Sequence, residues 1–290
     1  MNSEGDRFDR SSQGEQRTVL PGKYTSHSFT ALDAASVNEN VMIATRALRH
    51  QRVRTLVTGA RGGSGGVALD YARIRYRDVG DLVRDWARAG FHVEDGHRVV
   101  VGSMTFDLAS GPANTVDLLK FQNLPDHVQR LHGAIDVERS EVTSERSTPR
   151  HRRPGHPNGV RRVDHVVIRT NEIDQVEAFM SEEMNLTLRR RLESDRGTML
   201  FFREKDFPEA PFIEVVGEVR QTENDPPSTF VWGVSFVSDD LHHTRDVLGH
   251  ENVSEIRSAV QPGRNICTVK IDLGTNVAIM TPHVARRARM

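Results

Sequence analysis

The chain has 290 residues, 37% hydrophobic and 27% charged, with Lys plus Arg at 39 against Asp plus Glu at 40. That length fills one or two domains with real cores, and a net charge of −1 gives no global attraction to nucleic acid or to a membrane surface. A single cysteine, Cys267, excludes an intrachain disulfide and fits a reducing compartment; set in the apolar alternation ICTVKI, it reads as a small core residue.

Residues 1–27 are rich in Ser, Gly, Gln and charge and read as a disordered tail. The chain starts without an apolar h-region and has no apolar run near the ~20 residues that cross a bilayer, so a cytoplasmic location is expected. Over Ser28–Ala60, Val37, Val41, Ala44 and Leu48 fall at helical spacing, and the strand RVRTLVTGA follows. TGARGGSGG (Thr58–Gly66) resembles the glycine-rich turn of short-chain dehydrogenases, which implies an NAD(P)-dependent oxidoreductase binding its cofactor through Gly59–Gly66. The helix that should come next is replaced by ALDYARIRY, which alternates like a strand. A loop is therefore the competing reading.

The first clear unit covers 69–122. LDYARIRY is a strand. In VGDLVRDWARAG, Val79, Leu82, Val83 and Trp86 make an amphipathic helix that Gly90 ends. FHVEDGHRVVV, with an Asp95-Gly96 turn, SMTFDLA and TVDLLKF are strand candidates. Residues 135–160 read as a basic flexible linker, with Arg150, Arg152 and Arg153 clustered. Residues 161–217 repeat the order: VDHVVIRT, a helix with Ile173, Val176, Phe179 and Met180 inward, then LTLRRRLES, GTMLFFREK and PFIEVVGE. After a short polar linker, 230–282 repeats it again: FVWGVSFVS, DDLHHTRDVLG, SEIRSAV, ICTVKID and NVAIMTP.

The three units overlay at their first strands. Leu69-Asp70-Tyr71 falls on Val163-Asp164-His165, and Trp232-Gly233 falls on Asp164-His165. At the last strands TVDLLK, FIEVVG and VAIMTP align, which puts Asp117, Glu214 and Ile279 at one position. A recurring order with near-constant internal distance points to one architecture. The expected fold is α+β, of repeated βαβββ modules. A second, degenerate N-terminal module is expected at 28–66, giving an N-terminal domain over 28–134 and a C-terminal domain over 161–284.

VDHVVIRT with FIEVVG, and WGVSFVSDDL in the partner unit, resemble the vicinal oxygen chelate superfamily, including glyoxalases, bleomycin-resistance proteins and extradiol dioxygenases. The resemblance implies modules paired into one or two domains with curved mixed sheets around a cavity, and metal ligands on first and last strands. His165 and Glu214 stand at those positions, and imidazole with carboxylate suits Fe, Zn, Mn, Ni or Co. The partner unit has Gly233 and Ile279 there, so only half a metal set is present. The open alternatives are a metal-dependent lyase, isomerase or dioxygenase, a general base with an orienting carboxylate, and a metal-free binding, resistance or accessory protein. Tyr71 and Asp117 are the N-terminal counterparts and candidate substrate-binding residues. The expected partner is a small organic molecule, with no nucleic acid and no membrane. A homodimer is the alternative way to pair a lone module.

Overall fold

The computed structural model describes residues 66–112, 114–132, 135–140, 155–194, 197–204, 207, 209–217 and 226–283. Two βαβββ units form its larger sheet. The first is β7 (Val160–Thr170), α2 (Ile173–Ala178, continued by one π-helical turn over Phe179–Glu183), β8 (Leu188–Ser194), β9 (Gly197–Phe202) and β10 (Phe212–Gly217). The second is β11 (Thr229–Ser238), α3 (Leu241–Leu248), β12 (Arg257–Ser258), β13 (Asn265–Thr268) and β14 (Asn276–Met280). In each unit the last strand lies parallel on the first, β10 on β7 and β14 on β11. The units join where β7 and β11 run antiparallel, giving the eight-stranded order β12-β13-β14-β11-β7-β10-β9-β8.

Alternation decides what each face does. On β10, Ile213 and Val215 are buried toward the core that holds Val176 and Met180, whereas Phe212, Glu214 and Val216 are half-buried on the opposite face. α3 starts at Asp240, whose carboxylate accepts from the His242 and His243 amides, and ends at Gly249 in the left-handed region, φ 82°. This is a residue type that relieves a helix end without a Cβ clash.

The smaller sheet contains β1 (Ala68–Tyr76), β2 (Arg98–Val101), β3 (Met104–Ser110), β4 (Thr115–Gln122), β5 (Arg130–Leu131) and β6 (Ile135–Arg139), in the order β2-β3-β1-β4-β6-β5. Helix α1 (Val79–Arg88) follows β1 and is capped by Asp78. Asp95 and Gly96, both with positive φ, turn the chain between the bridged Glu94 and Arg98. One alignment made from sequence is corrected here. The strand lying parallel on β1 is β3, not TVDLLKF. TVDLLKF is β4 and runs antiparallel to β1, as β11 does to β7, and it carries its own parallel strand, β6. Residues 115–139 therefore repeat the pairing of a second unit, and the strand at 135–139 occupies the start of the expected linker. The degenerate module expected at 28–66 falls almost wholly outside the described residues.

The two sheets share one apolar core. Trp86 of α1 is fully buried, packs on Phe106 and Phe236, and donates through Nε1 to Leu273 O at 3.2 Å. Burial of the ring with its N–H satisfied is the condition under which tryptophan stabilises a core. Cys267 is completely buried, and burial pushes its thiol up to about 11, which fits the core reading.

Each of β1, β4, β7 and β11 skips a residue in the β1/β4 or β7/β11 pairing, Asp70, Asp117, Asp164 and Trp232 respectively, and β7 skips Arg161 as well. A bulge puts two residues of one strand opposite one of its partner and re-aims the extra side chain. The residue after each of the first four is Tyr71, Leu118, His165 or Gly233. By register, the position on the closing strand next to these is Asp107, Glu138, Glu214 or Ala278.

Candidate functional site

His165 is placed by β7 on the half-exposed face, opposite Phe212 on β10 and Ser235 on β11. Glu214 lies two residues along β10 from Phe212, on the same face. The two side chains meet across the parallel pair: His165 Nε2 is 3.2 Å from Glu214 Oε2. The other ring nitrogen, Nδ1, donates to Asp164 Oδ2 at 3.0 Å. Strict alternation would send Asp164 to the opposite face from its neighbour. The bulge brings it beside His165, and Val163 consequently belongs to the core, not to the His165 face as simple alternation implies.

Asp164 is held from behind by Arg264, whose side chain is 0% exposed. Arg264 Nη1 and Nη2 donate to the two carboxylate oxygens at 3.0 Å each. Its Nε donates to Thr281 O at 2.7 Å, and Nη1 also donates to Gln261 Oε1. A buried guanidinium stays charged, so this bidentate pair with its extra acceptors is the arrangement that offsets desolvation. The result is a continuous line, Glu214–His165–Asp164–Arg264.

The line fixes charge states. Burial pushes Glu214 above the ordinary glutamate value, opposed by His165 and reinforced by Asp164. Burial pulls His165 down, but Glu214 and Asp164 on its two sides outweigh that and leave it raised. Burial raises Asp164, and His165 and Arg264 overcome it, holding the acid well below the usual carboxylate range. One proton shared between a raised carboxylate and a raised imidazole, anchored by a fixed Asp⁻–Arg⁺ pair, is chemistry for moving a proton near neutrality.

The N-terminal counterparts behave differently. Tyr71 donates to Asp107 Oδ2 at 2.8 Å. Burial and this bond raise the Tyr71 phenol. Asp117, at the bulge position that Asp164 occupies in β7, accepts from Arg73 Nε at 2.9 Å and Nη2 at 2.8 Å and from Arg75. Tyr71 and Asp117 are thus separately engaged, and Lys120 and Glu138 form a further ion pair at 2.7 Å.

His165 and Glu214 are the candidate ligands for a divalent metal, one of the alternatives the sequence leaves open. Two ligands each about 2.1 Å from an ion at near-right angles stand about 3 Å apart, which the 3.2 Å separation allows, and Asp164 holds Nδ1 as an outer carboxylate would. The other half of the set fails. Gly233 offers no donor side chain, and a Cβ there would lie 2.7 Å from Asn276 O. The structural counterpart of Glu214 is Ala278, one residue before the expected Ile279, which is fully buried on the core side. Among the described residues no group of three or more His, Cys, Asp and Glu side chains comes together to hold a metal. Two donors fall short of the about three protein ligands of a catalytic site, so the residues present do not fit a resident catalytic ion.

Of the glycine-rich stretch Gly59–Gly66, only Gly66 lies within the described residues, where its carbonyl accepts from Asn123 Nδ2 at 3.0 Å. Among the described residues no helix is long and apolar enough to cross a membrane. Asp164 and Arg264 were missed from sequence as parts of the site. The only signal for Asp164 was its recurrence as the aspartate before the key position in Asp70-Tyr71 and Asp164-His165.

No protein-family model matches the chain. No curated protein matches it either. Among solved structures, a xylose isomerase-like TIM barrel/4-hydroxyphenylpyruvate dioxygenase fusion protein aligns with 87% of this chain at 9% identity, TM-score 0.52; this chain spans 55% of that protein. Methylmalonyl-CoA epimerase from Mycobacterium tuberculosis aligns with 43% of this chain and 91% of its own at 14% identity, TM-score 0.36. The Streptomyces coelicolor methylmalonyl-CoA epimerase in complex with 2-nitronate-propionyl-CoA aligns with 43% of this chain and 99% of its own at 16% identity, TM-score 0.34. The first of these, at TM-score 0.52 and 9% identity, shows a likeness of fold alone.

Proposed function

On the vicinal oxygen chelate fold that this chain carries, we propose that the His165–Glu214 pair is the reactive centre of a small-molecule site that moves a proton without a metal. The reaction class is isomerisation or elimination of a small organic carbonyl compound. Glu214 takes a proton from carbon next to the carbonyl and exchanges it with solvent; a proton is then returned to carbon at the old or a new position, or the leaving group departs while the base holds the proton. His165, kept as an imidazolium by the two carboxylates, positions Glu214 and offsets the negative charge that develops on the substrate oxygen. Asp164 and Arg264 fix the ring.

The observation that carries this reading is the 3.2 Å contact between the two raised groups on a face that also holds the half-buried Met199, Phe201, Phe212 and Val216. Apolar walls around a few convergent polar groups are what a small-molecule site needs. The test is exchange in deuterated water. The protein, stripped of metal with chelator, is incubated with a panel of small carbonyl compounds, and loss of their α-proton signals is followed by NMR. Wash-out from at least one class, lost in Glu214→Gln and His165→Gln, is expected. Exchange that survives Glu214→Gln, or that requires added divalent metal, refutes the proposal.

A further inference from the structure

The proposed site has a base in Glu214 and a cation in His165, and its substrate oxygen still needs a hydrogen-bond donor. His165 Nδ1 is taken by Asp164 at 3.0 Å, and Nε2 stands 3.2 Å from Glu214 Oε2, so the ring supplies charge and has no N–H to spare. A carbonyl oxygen that gains charge as its α-proton leaves is stabilised most by a donor already aimed at it. The side chains that flank His165 on this face are Phe212 and Glu214 on β10, and Ser235 and Val237 on β11, with Gly233 adding none. Of these, only Ser235 carries a hydroxyl.

Ser235 is placed for that contact. Val234 and Phe236 belong to the shared core, so alternation puts Ser235 on the opposite face, where it is the direct partner of His165 across the β7/β11 pair. It is 5% exposed, and among the described residues its hydroxyl has no hydrogen-bond partner. Its neighbour on β14 is Ala278, and Gly233 stands two residues before it, so neither position carries a side chain large enough to cover it. A buried hydroxyl without a partner costs stability unless a ligand or a water satisfies it. The span also fits. β10 and β11 flank β7, so the strands of Glu214 and Ser235 lie about 9.6 Å apart, two strand spacings, and the Glu214 side chain reaches toward β7 to meet His165. A contact of about 3 Å to the α-carbon, roughly 2.4 Å from that carbon to the carbonyl oxygen, and a hydrogen bond of about 2.8 Å bridge the remaining width.

We infer that the Ser235 hydroxyl donates to the carbonyl oxygen of a substrate bound over His165, and holds the enolate oxygen that forms when Glu214 removes the α-proton. This rests on the reading of His165 and Glu214 as a proton-transfer pair. In that step the C–H electron pair becomes the C=C bond and the carbonyl π pair moves onto oxygen. The α-proton goes to Glu214, and Ser235 keeps its own proton in a strengthened hydrogen bond. The substrate then lies with its α-carbon toward β10 and its carbonyl oxygen toward β11.

Propane-2-nitronate, a planar oxyanion shaped like an enolate and without an α-proton to lose, tests the contact apart from catalysis. The full chain, stripped of metal with chelator, is titrated with it and followed by ligand-observed NMR. Ser235→Ala should weaken binding by about tenfold or more, the size of a lost hydrogen bond to a charged group. Ser235→Thr, which keeps a hydroxyl, should stay near wild type. The neutral parent, 2-nitropropane, should lose less than the nitronate does. Ser235→Ala should melt at or above wild type, because the hydroxyl has no protein partner to lose. With a carbonyl compound that exchanges, the same variant should lower the rate constant by about 10²-fold with a smaller change in KM. Nitronate binding that depends on Ser235 where no exchange is seen removes Glu214 as the base and leaves the Ser235 contact standing. Nitronate that fails to bind wild type or binds Ser235→Ala equally well, or a Ser235→Ala melt several degrees lower, overturns the inference.

Discussion

Replacing Asp164 with Asn tests the centre of the buried line without changing its shape. The amide keeps the side-chain volume but removes the charge that offsets Arg264, whose side chain is fully buried. Arg264 cannot shed its proton, so it is left as an uncompensated ion with the Thr281 carbonyl and Gln261 as neutral acceptors. Breaking a buried pair from one side costs about 3–5 kcal/mol, which for 150–250 ordered residues lowers Tm by roughly 6–20 °C. Calorimetric unfolding at neutral pH reads this directly. The double variant Asp164→Asn with Arg264→Met should recover much of the loss, because no unpaired charge remains. The sign with pH is also fixed. Asp164 has its folded-state pKa depressed, so its contribution is present above the unfolded value of about 3.9 and is lost as pH falls toward the folded one. The gap between wild type and variant should therefore shrink below about pH 4. A neutral-pH loss under about 1 kcal/mol, or a double variant no more stable than Asp164→Asn alone, would sink the account.

Other expectations follow from single features. The exchange rate should show a bell in pH whose acid limb lies above the ordinary glutamate value of 4.5 and whose alkaline limb lies above the ordinary histidine value of 6.5; an acid limb at or below 4.5 removes Glu214 as the base. Stability carried by these two raised groups is present below their unfolded values and lost as pH rises through the folded ones, opposite to Asp164. Gly233→Ala should destabilise by about 1–3 kcal/mol, because the added Cβ meets Asn276 O at 2.7 Å; a melt equal to wild type would refute this. Cys267, buried with its thiol pushed up to about 11, should react with an aromatic disulfide reagent only when the protein unfolds.

The fold was legible in the sequence because alternation and helical spacing are local. The overlay of Asp70-Tyr71, Asp164-His165 and Trp232-Gly233 places the same strand positions together as the sheet pairing does. The closing strand of the first unit was not legible. MTFDLA and TVDLLK alternate alike, each with an aspartate in the pattern, and nothing local says which will lie parallel on β1 and which antiparallel. That choice depends on where the next crossover packs, a tertiary matter. The His165–Glu214 meeting was legible from period-2 reasoning. The Asp164 contact was not, because a bulge is decided by the partner strand and reverses what alternation predicts. Arg264 could not be assigned to Asp164 from spacing at all, since 100 residues separate them.

On the proposed reading, the repeated bulge accounts for why one of its four positions suits proton transfer and the other three do not. On β7 the bulge turns Asp164 onto the face that carries His165, so the two side chains meet. Asp70 accepts from Gln122 at 3.0 Å and from Ser140, and Tyr71 after it bonds Asp107. Asp117 is used up by Arg73 and Arg75, and Leu118 after it has no proton to move. Trp232 has no charge to give, and Gly233 has no side chain to receive it. Among the four, Asp164 alone stands between an imidazole that its carboxylate neighbours raise and a buried cation that keeps the aspartate ionised. With Asp164 held negative by Arg264, the charge reaching His165 Nδ1 does not vary between about pH 5 and 8. Any change of protonation in the line must then fall on His165 and Glu214, the two groups that face the open side of the sheet.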